Sequence, residues 1–98
     1  MNQCSFLGKL KSKELVLSEE IEKIELLLEV ENKRKAKSDF KKMDYETLEF
    51  EAWGTAAITI SKNLDIDDYI LIINSTARNN KNAICFRINE FKIIKREN

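Results

Sequence analysis

The stretch Leu48–Ala57, LEFEAWGTAA, decides how the chain divides, because its hydrophobic period changes at Gly54. Before the glycine, apolar and polar residues alternate as on the two faces of a β-strand, and the apolar face consists of Leu48, Phe50 and Ala52. After it, apolar residues recur at the spacing of a short helix, which we expect to end near Asn63 or Leu64. The only tryptophan of the chain, Trp53, therefore ends a predicted strand on its outward face.

Two strands are predicted before this junction. The first is QCSFLGKL, residues 3–10, where Gly8 indicates a bulge or a sharp bend, and a short extended piece, ELVL, follows it. The second is EKIELLLEVEN, residues 22–32, whose alternation places four apolar residues on one face: Ile24, Leu26, Leu28 and Val30. A helix from Leu17 to Glu31 is the competing interpretation, because leucine and glutamate are good helix formers.

Two more strands are predicted after the helix. DDYILIINSTA, residues 67–77, is rich in β-branched residues and predicts a central, well-buried strand. RNNKN, residues 78–82, predicts a turn, and AICFRINEFKII, residues 83–94, predicts the last strand. In that strand we expect the alternation to slip at Asn89–Glu90, as it does at a β-bulge, after the inward residues Ile84, Phe86 and Ile88.

Five strands with one helix between the third and the fourth form the layout of an OB-fold, a small Greek-key barrel that binds oligonucleotides or oligosaccharides. The chain has 98 residues, contains no proline and shows no linker-like segment rich in glycine or serine. We therefore predict a mainly-β protein with one OB-fold domain over residues 1–98, a five-stranded Greek-key barrel with one short helix between strands 3 and 4.

Several segments resemble bacterial-type single-stranded DNA-binding proteins, and together they cover nearly the whole chain. MNQCSFLGKL is similar to the opening of that family, and IELLLEVEN is similar to its second strand. FEAWGTAAITISKNLDIDDYILI resembles the family's AWG junction, its helix and the following strand, and FRINEFKII resembles its last strand. The resemblance implies an OB-fold that binds single-stranded DNA and assembles as a homo-oligomer, either a tetramer or a dimer.

Family members usually continue into a flexible tail with an acidic tip that recruits replication and repair proteins. This sequence ends at Asn98 with IIKREN, so we expect no tail-mediated recruitment. The strand edges that so small a barrel exposes favour pairing with another copy. The candidate contacts between subunits, which could instead complete the core, are Leu27, Phe6 and Leu7.

Trp53 is the principal candidate for binding nucleic acid. The resemblance implies that it stacks on a base, since the family's aromatic residue before this glycine does so, and an exposed indole can stack on any base. The alternative is that Trp53 covers the start of the helix or a subunit contact. By the same resemblance, Arg34 replaces an aromatic residue near the end of the second strand, and Tyr45 could serve near the start of the third.

A lysine-rich segment, NKRKAKSDFKKMD at residues 32–44, predicts a long loop with an embedded aromatic ring. Such a loop suits an irregular single strand, since basic groups contact phosphates and the ring stacks, although an ordinary solvated loop has the same composition. The candidate nucleic-acid-binding residues besides Trp53 and Tyr45 are Lys33, Arg34, Lys35, Lys37, Phe40, Lys41, Arg78 and Arg87.

Glutamates on the predicted outward faces oppose this function, because carboxylates repel a phosphate backbone. They are Glu25, Glu29, Glu31, Glu49 and Glu51. These carboxylates are harmless if they face away from the ligand or pair with lysines of the loop. They motivate an alternative function, an OB-fold structural or assembly module that has lost nucleic-acid binding.

Composition argues against several other classes of protein. Basic and acidic residues number 17 each, so no net charge attracts nucleic acid or a membrane. Histidine is absent, and we expect Cys4 and Cys85 to be reduced thiols that pack as small apolar residues. We therefore expect neither catalysis nor a cofactor or metal. Without a secretory signal or an apolar run longer than YILII, the protein is expected to be cytoplasmic, nucleoid-associated or organellar, and neither secreted nor membrane-bound.

Overall fold

The computed structural model describes residues 3–32, 44–80 and 83–95, and in these ranges the chain forms five strands and one helix. The elements are β1 Gln3–Leu17, β2 Glu22–Asn32, β3 Asp44–Trp53, α1 Thr55–Asn63, β4 Tyr69–Asn80 and β5 Ala83–Ile94. The strands close into a barrel in the order β1–β2–β3–β5–β4, with β4 paired to β1. The β3–β5 pair is parallel, and the other neighbours are antiparallel. This barrel, with its helix between β3 and β4, confirms the predicted OB-fold.

Strand alternation builds the core, because every second side chain points into the barrel. The four residues predicted to face inward on β2 are all buried, and β3 adds Phe50 and Ala52. The rings of Phe6, Phe50 and Phe86 pack together, with centroids between 4.9 and 5.3 Å apart. Phe6, a predicted candidate for a subunit contact, therefore belongs to the core instead. The buried residues of α1 pack against β1, β2 and β3.

β1 is one continuous strand, although its sequence predicts a strand followed by a separate extended piece. Its register with β2 shifts between Leu10 and Ser12, where a bulge bends the strand around the barrel. Of the bulge or sharp bend predicted at Gly8, the bulge is absent there, since Gly8 pairs regularly with Val30 of β2 and Ile70 of β4. A Cβ at Gly8 would lie 2.9 Å from the Cβ of Leu28, so the glycine leaves space for that leucine inside the barrel.

β4 and β5 depart from the prediction at their ends and on one face. β4 runs from Tyr69 to Asn80, through residues predicted as a turn. Tyr69 and Ile73 are exposed, so the prediction of a well-buried strand holds for one face only. Ile84, predicted to face inward, is 54% exposed. The reason is that β3 pairs with β5 at residues 85–87, and Ile84 lies beyond this closure.

The predicted bulge in β5 is confirmed by its register with β4. Ile88 pairs with Ser75 and Glu90 pairs with Asn74, so Asn89 stands between them without a partner position. The inward residues of β5 are therefore even-numbered before Asn89 and odd-numbered after it, as the sequence predicts.

Three further observations bear on the excluded classes. Cys4 and Cys85 are free thiols, as predicted. α1, the single helix of the described residues, is too short and too polar to cross a membrane. Within the same ranges, no three histidine, cysteine, aspartate or glutamate side chains are grouped so that they could hold a metal ion.

Candidate nucleic-acid interface

The backbone at the end of β3 holds Trp53 at the rim of the barrel. Gly54, the next residue, has a φ of 66°, a conformation that glycine adopts at little cost, and it turns the chain from the strand into α1. Its N–H donates a hydrogen bond of 2.8 Å to the carbonyl of Glu22, the first residue of β2. The start of β2 is thereby tied to the strand–helix junction, and the position of Trp53 follows from both.

The indole of Trp53 lies on the outer surface of the barrel and is half-buried. Two cations lie near its ring: the Nζ of Lys23 is 5.2 Å and the Cζ of Arg87 is 5.5 Å from the centroid. They come from β2 and β5, the strands on either side of β3, and each is attracted by the electron-rich ring. The Nε1 of Trp53 is buried, so the exposed part of the indole is carbon surface of the kind that stacks on a base.

The structure corrects the prediction that Glu51 is a solvated carboxylate. It shares the outward side of β3 with Trp53, but it is only 2% exposed. Arg78 binds it at both oxygens, with Nε 2.9 Å from Oε2 and Nη2 3.1 Å from Oε1. Because Arg78 is on β4, its side chain must cross β5 to reach β3. This crossing covers a carboxylate that the sequence pattern predicts to be solvated.

Cys85 lies beneath this ion pair. In the sheet it is opposite Arg78 on β4 and opposite Glu49 on β3. Burial, followed by the negative charge of Glu51, raises the pKa of the Cys85 thiol to about 11. The thiol is therefore protonated at neutral pH and packs as a small apolar group, as predicted.

Lys23 is the residue of this site that sequence reasoning missed. Its Nζ lies 3.2 Å from Oε2 of Glu25 and 3.9 Å from Oε1 of Glu51. The register places Lys23 directly opposite Trp53. The available signal was positional, since Lys23 begins the second strand, Trp53 ends the third, and an antiparallel pair brings such ends together. We call the surface formed by Lys23, Glu51, Trp53, Arg78 and Arg87 the Trp53 face.

The remaining candidate residues are distributed differently. Arg87 is exposed beside Trp53, and within the described ranges no carboxylate forms an ion pair with it. Tyr45 is 57% exposed but lies at the other end of β3, beside an open cleft of about 950 Å³. The structure therefore brings Arg78 and Arg87 to Trp53 and keeps Tyr45 apart. Six predicted loop residues lie outside the described residues: Lys33, Arg34, Lys35, Lys37, Phe40 and Lys41.

A second outward surface has a different character. On it Leu7 of β1 is opposite Leu71 of β4, and Tyr69 of β4 is opposite Ile94 of β5. Leu7 is 51% exposed, and Tyr69 and Ile94 are also exposed. We call these four residues the apolar face, and two lysines border it, Lys9 opposite Tyr69 and Lys92 opposite Leu71. Of the predicted subunit contacts, Leu7 belongs to it, whereas Leu27 is exposed elsewhere, on β2.

Solved structures with the same fold support this description. PriB from Ralstonia solanacearum superposes with a TM-score of 0.77 at 12% identity, covering 95% of this chain and 97% of that one. The single-stranded DNA binding protein from Thermus aquaticus superposes at 0.77 with 21% identity, over 100% of this chain and 42% of that one. The dimeric N-terminal domain of PriB from Thermoanaerobacter tencongensis superposes at 0.67 with 14% identity, over 97% and 98%.

Sequence comparison adds nothing to these structural matches, since no protein-family model and no curated protein matches the chain. At such low identities the superpositions establish the fold alone. They confirm that the chain has the OB-fold that its resemblance to bacterial-type single-stranded DNA-binding proteins implies.

Proposed function

We propose that the protein binds single-stranded DNA without strong sequence preference and protects it during replication, recombination or repair. The observation that carries this proposal is the indole of Trp53, whose exposed carbon surface lies at the rim of an OB-barrel between Lys23 and Arg87. Stacking of one base on an aromatic side chain contributes about 1–3 kcal/mol and tolerates any base. Sequence-independent binding is therefore the natural use of this site.

Phosphate contacts complete the proposed interface. Arg87 forms no ion pair within the described residues, since Glu51, opposite it on β3, is paired with Arg78, so a phosphate beside a base stacked on Trp53 is a suitable partner. The other proposed contacts are Tyr45, which lies about 30 Å from Trp53 along β3 at the rise of a β-strand, and basic or aromatic residues of the segment 33–43, which lies outside the described residues. Those in the segment are Lys33, Arg34, Lys35, Lys37, Phe40 and Lys41, whereas Arg78 of the Trp53 face is paired with Glu51.

Two observations favour this function over an assembly module without a ligand. Glu51, two residues before Trp53 on the same side of β3, is buried and paired, so it does not oppose a phosphate as the outward glutamates were expected to do. One structural neighbour is named as a single-stranded DNA binding protein. A fold does not determine a function, so that neighbour supports the proposal without carrying it. We infer binding without catalysis, in the cytoplasm or an organelle, where single-stranded DNA arises.

The proposal includes self-association through the apolar face. Exposed aliphatic and aromatic side chains on neighbouring strands form a surface that is more stable when it is covered. Leu7 and Leu71 lie side by side there, as do Tyr69 and Ile94. A second copy is a suitable cover, and the dimer of the Thermoanaerobacter tencongensis domain supports that expectation. We therefore propose a homo-oligomer, a dimer or a tetramer.

Titration with oligo-dT, followed by tryptophan fluorescence, tests the function directly because Trp53 is the only tryptophan. We expect quenching on binding, and we expect affinity to fall with salt. If four or five phosphates are contacted, the slope of log K against log salt concentration is about −3. Duplex DNA and RNA titrated in parallel measure the preference for single strands. An unchanged signal at low salt, up to about tens of micromolar oligo-dT, would refute the proposal.

A further inference from the structure

The Trp53 face contains a charged pair that is unusual for a surface that binds a polyanion. The side chain of Glu51 is 3% exposed, whereas that of its partner Arg78 is 47% exposed. Nη2 of Arg78 donates a hydrogen bond of 3.1 Å to Oε1 of Glu51, and Nε lies 2.9 Å from Oε2 as a close ion contact without hydrogen-bond geometry. The exposed guanidinium of Arg78 is thus paired with a buried carboxylate.

A phosphate in solution is a poor competitor for this arginine. Removing one partner of a buried ion pair leaves an uncompensated charge in a region of low dielectric, which is strongly destabilising. Lys23, at 3.9 Å, is too distant to replace the two short contacts of Arg78 with Glu51. The pair therefore persists when ligand arrives, and its net charge is zero.

The same reasoning extends to the other cations beside the indole. Lys23 is shared between Glu51 and the closer carboxylate of Glu25. Of the three cations on the Trp53 face, Arg87 alone has no carboxylate partner among the residues that the structure describes. This face therefore presents an aromatic ring with little net positive charge.

We propose that Glu51 is an internal counter-ion that limits the phosphate contacts of the Trp53 face by neutralising Arg78, so that base stacking, and not charge, carries affinity there. This inference rests on the proposed function and adds a residue that determines its salt dependence. A binding face of this design releases few counterions, so its affinity changes less with salt than the number of basic residues suggests.

The variant Glu51→Gln tests this role, because it keeps the shape of the side chain and removes its charge. Arg78 is then free to contact a phosphate. The slope of log K against log salt should become steeper by about 0.7, and affinity for oligo-dT should rise about fivefold to tenfold at about 0.05 M salt and converge with wild type near about 1 M. Fluorescence of Trp53 reports binding, and thermal unfolding checks that the variant is folded.

Glu49→Gln is the matched control. It makes the same change of charge on the same strand and the same outward side, but Glu49 is exposed and, within the described residues, forms no ion pair with Arg78. Its slope should equal that of wild type. A change as large as that of Glu51→Gln would show that any carboxylate of the surface has this effect, and it would overturn the inference.

The double variant Glu51→Gln/Arg78→Gln separates the counter-ion from the cation, and it removes both charges if the single variant does not fold. Because the pair is neutral, the slope should return to the wild-type value. A slope shallower than wild type by about 0.7 would mean that Arg78 already contacts a phosphate, and the inference would fail.

The outcomes also distinguish this inference from the function on which it rests. If wild type binds oligo-dT and Glu51→Gln binds with the same slope, only the inference is wrong. If neither protein binds, both are wrong. If Glu51→Gln binds and wild type does not, the counter-ion role is supported and the proposed function is rejected.

Discussion

The Trp53 face and the apolar face are built by the same alternation on the same barrel, but their cross-strand neighbours differ. On the Trp53 face, Trp53 is opposite Lys23 and lies near Arg87. On the apolar face, Leu7 is opposite Leu71, and Tyr69 is opposite Ile94. A surface of aromatic rings and charges is well solvated in the unbound protein and can bind a polar ligand. An apolar surface, by contrast, is stabilised when a partner covers it. Outward positions of one barrel therefore suit the two different kinds of partner that we propose.

Replacing the indole of Trp53 should produce the largest difference in DNA affinity between variants of the two faces. Trp53→Ala is expected to weaken oligo-dT binding about tenfold to a hundredfold, because one stacked base contributes about 1–3 kcal/mol. Since the variant lacks the fluorophore, anisotropy of a dye-labelled oligonucleotide is the measurement. Ile94→Ala, which shortens a side chain of the apolar face outside the cleft beside Tyr45, is the control and should leave affinity unchanged. Equal losses in the two variants would abolish the distinction between the faces.

A charge on the apolar face should act on assembly. Leu7→Glu places a carboxylate opposite Leu71, where covering it by a second copy would bury an unpaired charge. We expect wild type to be an oligomer and Leu7→Glu to be a monomer of 11.5 kDa, as measured by light scattering. Leu27→Glu, at the other predicted contact, should leave the oligomer intact. Dissociation by Leu27→Glu instead of Leu7→Glu would move the interface to β2, and a monomeric wild type would contradict self-association altogether.

Two cations on β5 allow a smaller test of the same contrast. Arg87→Gln removes a charge beside Trp53, so the salt slope should become shallower by about 0.7 and affinity should fall about fivefold to tenfold at about 0.05 M salt. Lys92→Gln removes a charge opposite Leu71, next to the apolar face, and should change neither quantity. Titration of both variants over a range of salt concentrations is the measurement. If they respond alike, only the total charge of the protein matters.

The smallest expected effect concerns the thiol beneath the Arg78–Glu51 pair. Burial, and then the charge of Glu51, raise the pKa of Cys85 from 9.0 to about 11 in the folded protein. The unfolded chain loses this proton first, so the stability contributed by the protonated thiol is complete below pH 9.0 and is lost as pH rises toward about 11. Denaturant unfolding of Cys4→Ala should show this loss.

The double variant Cys4→Ala/Cys85→Ala isolates that contribution, because other groups that titrate in alkali are common to both proteins. The difference in unfolding free energy between the two should shrink between pH 9 and about 11. A difference independent of pH would mean that Cys85 titrates normally, and that the Arg78–Glu51 pair does not seal it from water.

Local patterns predicted the elements of this protein well. The bounds of β2 and β5 coincide with the predicted segments, and α1 ends at the predicted residue, because alternation and helical spacing depend on neighbours along the chain. The outward position of Trp53 at the junction was predicted by the same means, whereas its role in stacking was implied by the family resemblance and stays a prediction. The bulge offered as one alternative at Gly8 and the inward position of Ile84 were wrong, because each position depends on a contact with another strand: the first with Leu28, the second with the end of β3.

The sequence by itself therefore determined five strands, a helix, their order and the outward position of Trp53, since these follow from periodicity and from one glycine. The tertiary structure alone decided that Lys23 faces the indole, that Arg78 crosses β5 to bury Glu51, and that the pair covers Cys85. The physical reason is that strand pairing joins residues far apart in the chain. A one-residue change of register moves every side chain to the other face, and no local pattern specifies which residues then become opposite one another.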